Sequence, residues 1–187
     1  MQPRIPALPL AKYPWYLRLF FKLQLKKFGQ ILTPSLLWGY TPLPSLVFSL
    51  FYLVINRKKA LISPELRSLA MVRVAQIHGC HFCIDLNSLF LLQRLTIEEK
   101  FLALPKWRES SQFSEKERAV LEYAEAMTQT ECQVSDPMME KLKSFISAEE
   151  IIELTGLIAY QNMSARFNSA LNIPSQGLCQ MKHPVKK

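Results

Sequence analysis

The first 64 residues contain no aspartate or glutamate, although they hold nine lysines and arginines. All 15 acidic residues lie beyond them, so the formal net charge of +8 sits at the N-terminal end and the remainder is close to neutral. A basic arm of this kind suits an anionic membrane surface or an acidic partner. Nucleic acid is not expected, because no recognised binding motif accompanies the charge. Glycine is scarce, with 5 in 187 residues, which argues against a sheet-rich chain built on many tight turns. Long apolar runs are also missing. The uncharged stretch 36–55 is interrupted by Gly39, Pro42 and Pro44, and the apolar block 46–55 covers only about half a bilayer. A buried helix near 45–57 is the expectation there. The N-terminus lacks a charged segment followed by an apolar one, so it does not read as a signal peptide. Four cysteines, two in tandem and two scattered, do not form a secreted disulfide framework, and a cytoplasmic location is expected.

What is present reads as helix throughout. Residues 1–14 carry four prolines and are expected to be extended. From Trp15 to Phe28, Arg18, Lys22 and Lys26 recur at i+4 as a basic stripe, with Tyr16, Leu19, Phe20 and Leu23 on another face. This helix is expected to dock on its own domain or a neighbouring subunit, with a membrane surface as the alternative. Ser63-Pro64-Glu65 has the form of a helix start and leads to about Ile77. Gly79 is expected to break or kink that helix, with a second one over 80–93. Thr96-Ile97-Glu98-Glu99 starts a short helix that Pro105 ends. Ser114 caps a helix reaching Met127, Asp136-Pro137 opens another to about Phe145, and Ser147 begins the last, which runs to about Ala170. The fold class expected is all-α, with no internal repeat.

Cys80 and Cys83 form a Cys-x-x-Cys pair within Gln76-Ile77-His78-Gly79-Cys80-His81-Phe82-Cys83. Residues i and i+3 share a helical face, and a Cα separation of roughly 5–6 Å suits a disulfide. Zinc would need two further thiolates or imidazoles at matching spacing, and the chain has neither a second such pair nor His-x3-His. Reversible redox chemistry is therefore expected, with an inert pair as its rival and no metal or cofactor. A helix starting at Cys80 would favour a negative sulfur there through its free N–H groups and dipole. His78 and His81 flank the pair and are candidates to add charge or carry a proton. Asn87 lies one turn beyond Cys83 and can donate a hydrogen bond but cannot move a proton. Asp85 is about 200° round the helix from Cys83 and points away. Asn162 and Arg166, one turn apart on the last helix, are expected to make a structural hydrogen bond or an inter-subunit contact, with an arginine that draws an anionic substrate or lowers a thiol pKa as the alternative.

The stretch from Leu66 to Cys83, with Phe113–Leu121 and Ala159–Phe167, resembles the carboxymuconolactone decarboxylase superfamily in its alkylhydroperoxidase D-like branch. The likeness spans about residues 40–175. It implies an all-helical fold that assembles into dimers, trimers or hexamers. It also implies thiol peroxidase activity, in which Cys83 attacks, Cys80 resolves, and an external dithiol or reductase protein resets the disulfide. The family's proton relay uses a glutamate twelve residues before the first cysteine and a histidine four after the second. Here those positions hold Ser68 and Asn87. Glu65, one turn before Ser68, and His78 or His81 are the candidates to stand in. The pair itself argues against lactone decarboxylation, whose enzymes do not depend on it.

The chain is thus expected to comprise a basic arm and amphipathic helix (1–35), a helical domain (36–175) and a tail (176–187). The function expected is hydroperoxide reduction or disulfide exchange through Cys80 and Cys83 in a homo-oligomer. The alternative is a non-enzymatic helical scaffold or redox sensor, whose arm docks to a membrane or partner.

Overall fold

A computed structural model describes residues 2–57, 59–92 and 98–179. Among the described residues there are nine α-helices and no strand: α1 (Trp15–Phe28), α2 (Thr33–Trp38), α3 (Pro42–Ile55), α4 (Pro64–Ile77), α5 (His81–Leu92), α6 (Glu98–Ala103), α7 (Glu115–Ala126), α8 (Asp136–Lys143) and α9 (Ala148–Ala170). The all-α expectation holds. Starts written in the sequence are starts in the structure. Ser63 Oγ accepts from Leu66 N–H, and Ser114 and Ser147 each form a capping box with the glutamate three residues on. Thr96 and Ile97, expected to begin α6, lie outside the described residues.

Helix α4 is the centre of the molecule. Nine of its fourteen residues are buried, because α5, α7 and α9 pack around it. One core cluster joins α4, α7, α8 and α9 through Val74, Val120, Leu142, Leu154 and Ile158. A second gathers around Cys80 and Cys83 with Leu32, Leu37, Phe82 and Ala165. The third seats Trp107 and Phe113 against Leu69 and Leu121.

The N-terminal segment lies against this bundle. Tyr13 is buried over Gly39, where a Cβ would meet the Tyr13 ring at 2.5 Å, so only glycine admits it. The Tyr13 hydroxyl donates to Leu36 O and accepts from Leu8 N–H, both at 3.0 Å. Helix α1 docks on its own chain and buries Leu17, Phe21 and Gln24. Of the face expected from the sequence, Tyr16 and Phe20 pack against the cluster of Tyr13, Leu17 and Phe21, whereas Leu19 and Leu23 are more than half exposed. The basic stripe of Arg18, Lys22 and Lys26 faces solvent.

Helix α3 also departs from expectation. It exists, yet only Ser45 and Ile55 are buried. One side meets α2 and α9, while Leu43, Leu46, Val47, Leu50 and Val54 form an exposed stripe at helical spacing. No helix among the described residues is long and apolar enough to cross a membrane.

A buried charge ties α4 to α7. Glu125, 4% exposed, accepts from Arg73 Nε at 2.6 Å and Trp107 Nε1 at 2.9 Å, and pairs with Arg108 at 2.5 Å. Burial pushes its carboxyl up. The hydrogen bonds from Trp107, Arg108 and Arg73, with the Arg73 charge, outweigh that and hold it below the ordinary value. A depressed folded pKa means stability that is fully present above the unfolded value near 4.5 and is lost as pH falls through the folded one. Glu125→Gln is expected to cost about 3 kcal/mol at neutral pH by leaving Arg73 unpaired. It should also flatten the acid limb of the stability curve, and urea unfolding across pH reads both effects.

Candidate active site

The site is built on one turn. Helix α4 ends at Ile77, and Gly79 takes the left-handed conformation at φ 58°. Its N–H bonds Gln76 O at 3.1 Å, and the N–H of Cys80 bonds Ala75 O at 3.0 Å. These are the two bonds of a Schellman motif, which needs a residue free of a Cβ penalty at Gly79. Cys80 then serves the next helix as its cap. Its carbonyl accepts from Ile84 N–H at 2.9 Å, and its Sγ accepts from Cys83 N–H at 3.2 Å. The last residue of one motif is thus the first of another. The two cysteines are joined as a disulfide with Cα atoms 5.2 Å apart, inside the separation anticipated from their spacing.

Both sulfurs are buried, but in different surroundings. Cys83 lines a cavity of about 320 Å³, and Cys80 does not. Exposed Gly79 and His81 flank Cys80 on the outer side. The cavity is framed by α1, α2, α3, α5 and α9, and Met71 of α4 reaches it. One wall carries a ladder of stacked rings, Trp38 on Phe48 at 4.8 Å and Phe48 on Tyr160 at 4.7 Å, and Phe167, outside the lining, stacks on Trp38 at 4.3 Å. Trp38, Phe48 and Tyr160 spend their faces on each other and offer edges to the space. Burial pushes the Tyr160 phenol far above its usual value, with Tyr52 adding to the rise, so it stays protonated.

The polar side chains at the buried end come from α5 and α9. Asn168 Nδ2 donates to Cys83 Sγ at 3.2 Å. Asn87 Nδ2 donates to Gln161 Oε1 at 3.1 Å. Gln161, Ser164 and Asn168 share one face of α9 and all line the cavity. Gln161 Nε2 and Asn168 Oδ1 are buried without a hydrogen-bond partner among the described residues.

The other residues singled out in the sequence fall elsewhere. Ser68 is buried in α4, one turn before Met71, and does not line the cavity. Glu65 is exposed in the first turn of α4, about 18 Å along the axis from Ile77. The structure does not bring it to the sulfurs, because α4 runs its full length between them. His81 is exposed. His78 Nε2 meets Asn162 Oδ1 at 2.6 Å. Since Asn162 Nδ2 donates to Thr128 Oγ1 and Ile158 O, the histidine donates in this pair and is held in a structural network away from the cavity. Asn162 is structural, as expected, and Arg166 is exposed. Asp85 accepts from Ser175 Oγ and from the N–H groups of Gln176, Leu178 and Cys179, so it anchors the C-terminal segment. No group of three or more His, Cys, Asp or Glu suited to a metal occurs among the described residues.

Asn168 and Gln161 were not identified from the sequence. Asn168 is 85 residues from the cysteine it contacts, and no local pattern announces it. A hydrogen bond to sulfur favours the thiolate over the thiol. In reduced protein with Cys80, Cys132 and Cys179 changed to serine, Asn168→Ala is expected to slow iodoacetamide alkylation of Cys83 about fivefold at neutral pH, the equivalent of about 1 kcal/mol. An unchanged rate would remove Asn168 from the site.

Comparison with known proteins agrees with the fold. The Carboxymuconolactone decarboxylase family profile matches residues 46–126. The uncharacterized protein YnjA of Escherichia coli (strain K12) is 41% identical over 173 residues, covering 92% of this chain and 95% of that one. Two crystal structures share the fold. The alkylhydroperoxidase AhpD core of a peroxidase-related protein from Ralstonia eutropha JMP134 has a TM-score of 0.81 at 18% identity, covering 94% of each chain. The debrominase Bmp8 has a TM-score of 0.79 at 22% identity, covering 92% of this chain and 91% of its own. This chain belongs to the carboxymuconolactone decarboxylase superfamily and has its alkylhydroperoxidase D-like fold.

Proposed function

We propose that the protein is a thiol peroxidase in which hydroperoxides reach Cys83 through the cavity. The observation that carries this is the asymmetry of the pair: Cys83 borders a largely apolar cavity that opens to solvent, and Cys80 borders the outer turn. In the first step the Cys83 thiolate attacks the distal oxygen of the hydroperoxide. The O–O bond breaks, Cys83 becomes a sulfenic acid, and the departing alkoxide takes a proton to become an alcohol. The Cys80 thiol then attacks the Cys83 sulfur, a disulfide forms, and water leaves with the proton Cys80 gives up. An external dithiol restores both thiols by exchange, entering at Cys80 beside exposed Gly79 and His81.

Asn168 and the N–H of Cys83 supply hydrogen bonds to the two sulfurs, where the family uses a glutamate and a histidine. Neither can carry a proton, so protonation of the alkoxide falls to water, and the Cys80 proton leaves with the water released in the second step. A slower enzyme than a relay-equipped relative is the consequence. On adding cumene hydroperoxide to reduced protein, wild type should lose two thiols, Cys80→Ser should hold a trappable sulfenic acid, and Cys83→Ser should lose thiols no faster than free cysteine. A sulfenic acid in Cys83→Ser instead would reverse the roles. Thiol loss in wild type at the rate of free cysteine would leave a redox-responsive scaffold.

The exposed stripe on α3 supports self-association, since a second copy would remove five large apolar side chains from water. Leu50→Glu is expected to reduce the mass in light scattering to that of a single chain. A wild-type protein already of single-chain mass would dismiss this assembly.

A further inference from the structure

The cavity has two chemically unlike ends. At the buried end stand Cys83 and the amides of Asn168 and Gln161. The exposed lining residues Leu23, Lys27 and Leu53 mark where it meets solvent. Among the described residues lining it, Lys27 is the one that is charged, and none is a carboxylate. The ammonium is held at this edge by aromatic rings, 5.0 Å from the centroid of Phe28 and 5.2 Å from that of Phe90. Phe90 follows Cys83 by two helical turns, so cation and sulfur are separated by on the order of 10 Å along α5. The lining is mostly apolar, with Phe20, Leu86 and the rings of the ladder, and Gln24, Ser35, Ser45, Ser49 and Asn87 are among its neutral polar members.

We propose that this cavity takes an anionic amphiphile: a carboxylate at Lys27, an apolar chain along the aromatic wall, and the hydroperoxide against Cys83 and Asn168. The peroxide half of this statement rests on the function proposed above, whereas the binding half does not. The orientation follows from the ends. A carboxylate at the floor would give up its hydration for neutral amides and meet no cation. A hydroperoxide there can donate to the unpartnered Asn168 Oδ1 while its oxygen lies beside the Cys83 sulfur. At the mouth, Lys27 favours an anion and repels a cation, and the surrounding segment carries no acid that would compete for it.

Binding is tested on the oxidised protein, which cannot turn over peroxide, by calorimetric titration with laurate and with dodecanol below their micelle concentrations at low salt. Laurate is expected to bind about fivefold more tightly. Lys27→Gln should bring laurate down to the dodecanol level, and Ser49→Phe, which fills the cavity, should abolish both. Equal binding of the two ligands, a preference that survives Lys27→Gln, or binding that survives Ser49→Phe would overturn the proposal. Turnover is tested separately with linoleic acid hydroperoxide and its methyl ester, for which a KM about fivefold lower for the acid is expected. Laurate binding without turnover of either compound would leave the amphiphile site standing and remove the peroxidase reading. Equal turnover of both without laurate binding would do the reverse.

Discussion

The site depends on a single turn, His78-Gly79-Cys80, in which one helix is terminated and the next begun with no residue spare. The left-handed Gly79 lets the N–H of Cys80 close α4 while its carbonyl and sulfur open α5. That overlap fixes Cys80 at the cap and Cys83 in the first turn, where the Cα separation suits a bond between them. A looser loop would leave the two sulfurs free to wander, and α4 would lose its antiparallel partner. Because α4 is the helix around which α5, α7 and α9 pack, the constraint on the redox pair is also a constraint on the core.

The cavity is a different kind of object, made by elements distant in the chain. The N-terminal segment supplies one wall through α1, held in place by Tyr13 over Gly39 and by Gln24, which bonds Ser35 and the N–H of Leu32. The C-terminal segment is tied to the same region. Asp85 accepts from the N–H groups of Gln176, Leu178 and Cys179, and Gln176 bonds Thr33 N–H and Gln30. Both chain ends therefore close around α5. The basic charge of the N-terminal part follows the same geometry, because Lys27 on α1 stands at the opening of the space that ends at Cys83.

The missing relay residues acquire a physical meaning in this setting. A glutamate and a histidine would move protons, whereas Asn168, Asn87 and Gln161 can only orient and polarise. Two of these amides keep an unused hydrogen-bonding atom in a buried place, an arrangement that costs stability unless something occupies it. The wall opposite is made of ring edges and a phenol that stays protonated. The interior beyond Lys27 is thus lined by neutral side chains, most of them apolar.

By itself, the sequence determined what local forces control. Serine caps, capping boxes, the break at Gly79 and the spacing of the cysteines depend on neighbours within four residues, so each is legible in the order of the residues alone. The direction of Asp85, away from Cys83, follows from helical periodicity in the same way. Only the tertiary structure decided which side of α1 turns inward, that most of α3 stays exposed, and that Glu65 and the histidines stand away from the cavity. It also brought Asn168 to Cys83 and Lys27 to the cavity mouth. These depend on contacts between residues tens of positions apart, whose cost in chain entropy is repaid by packing of the assembled core and not by any local pattern.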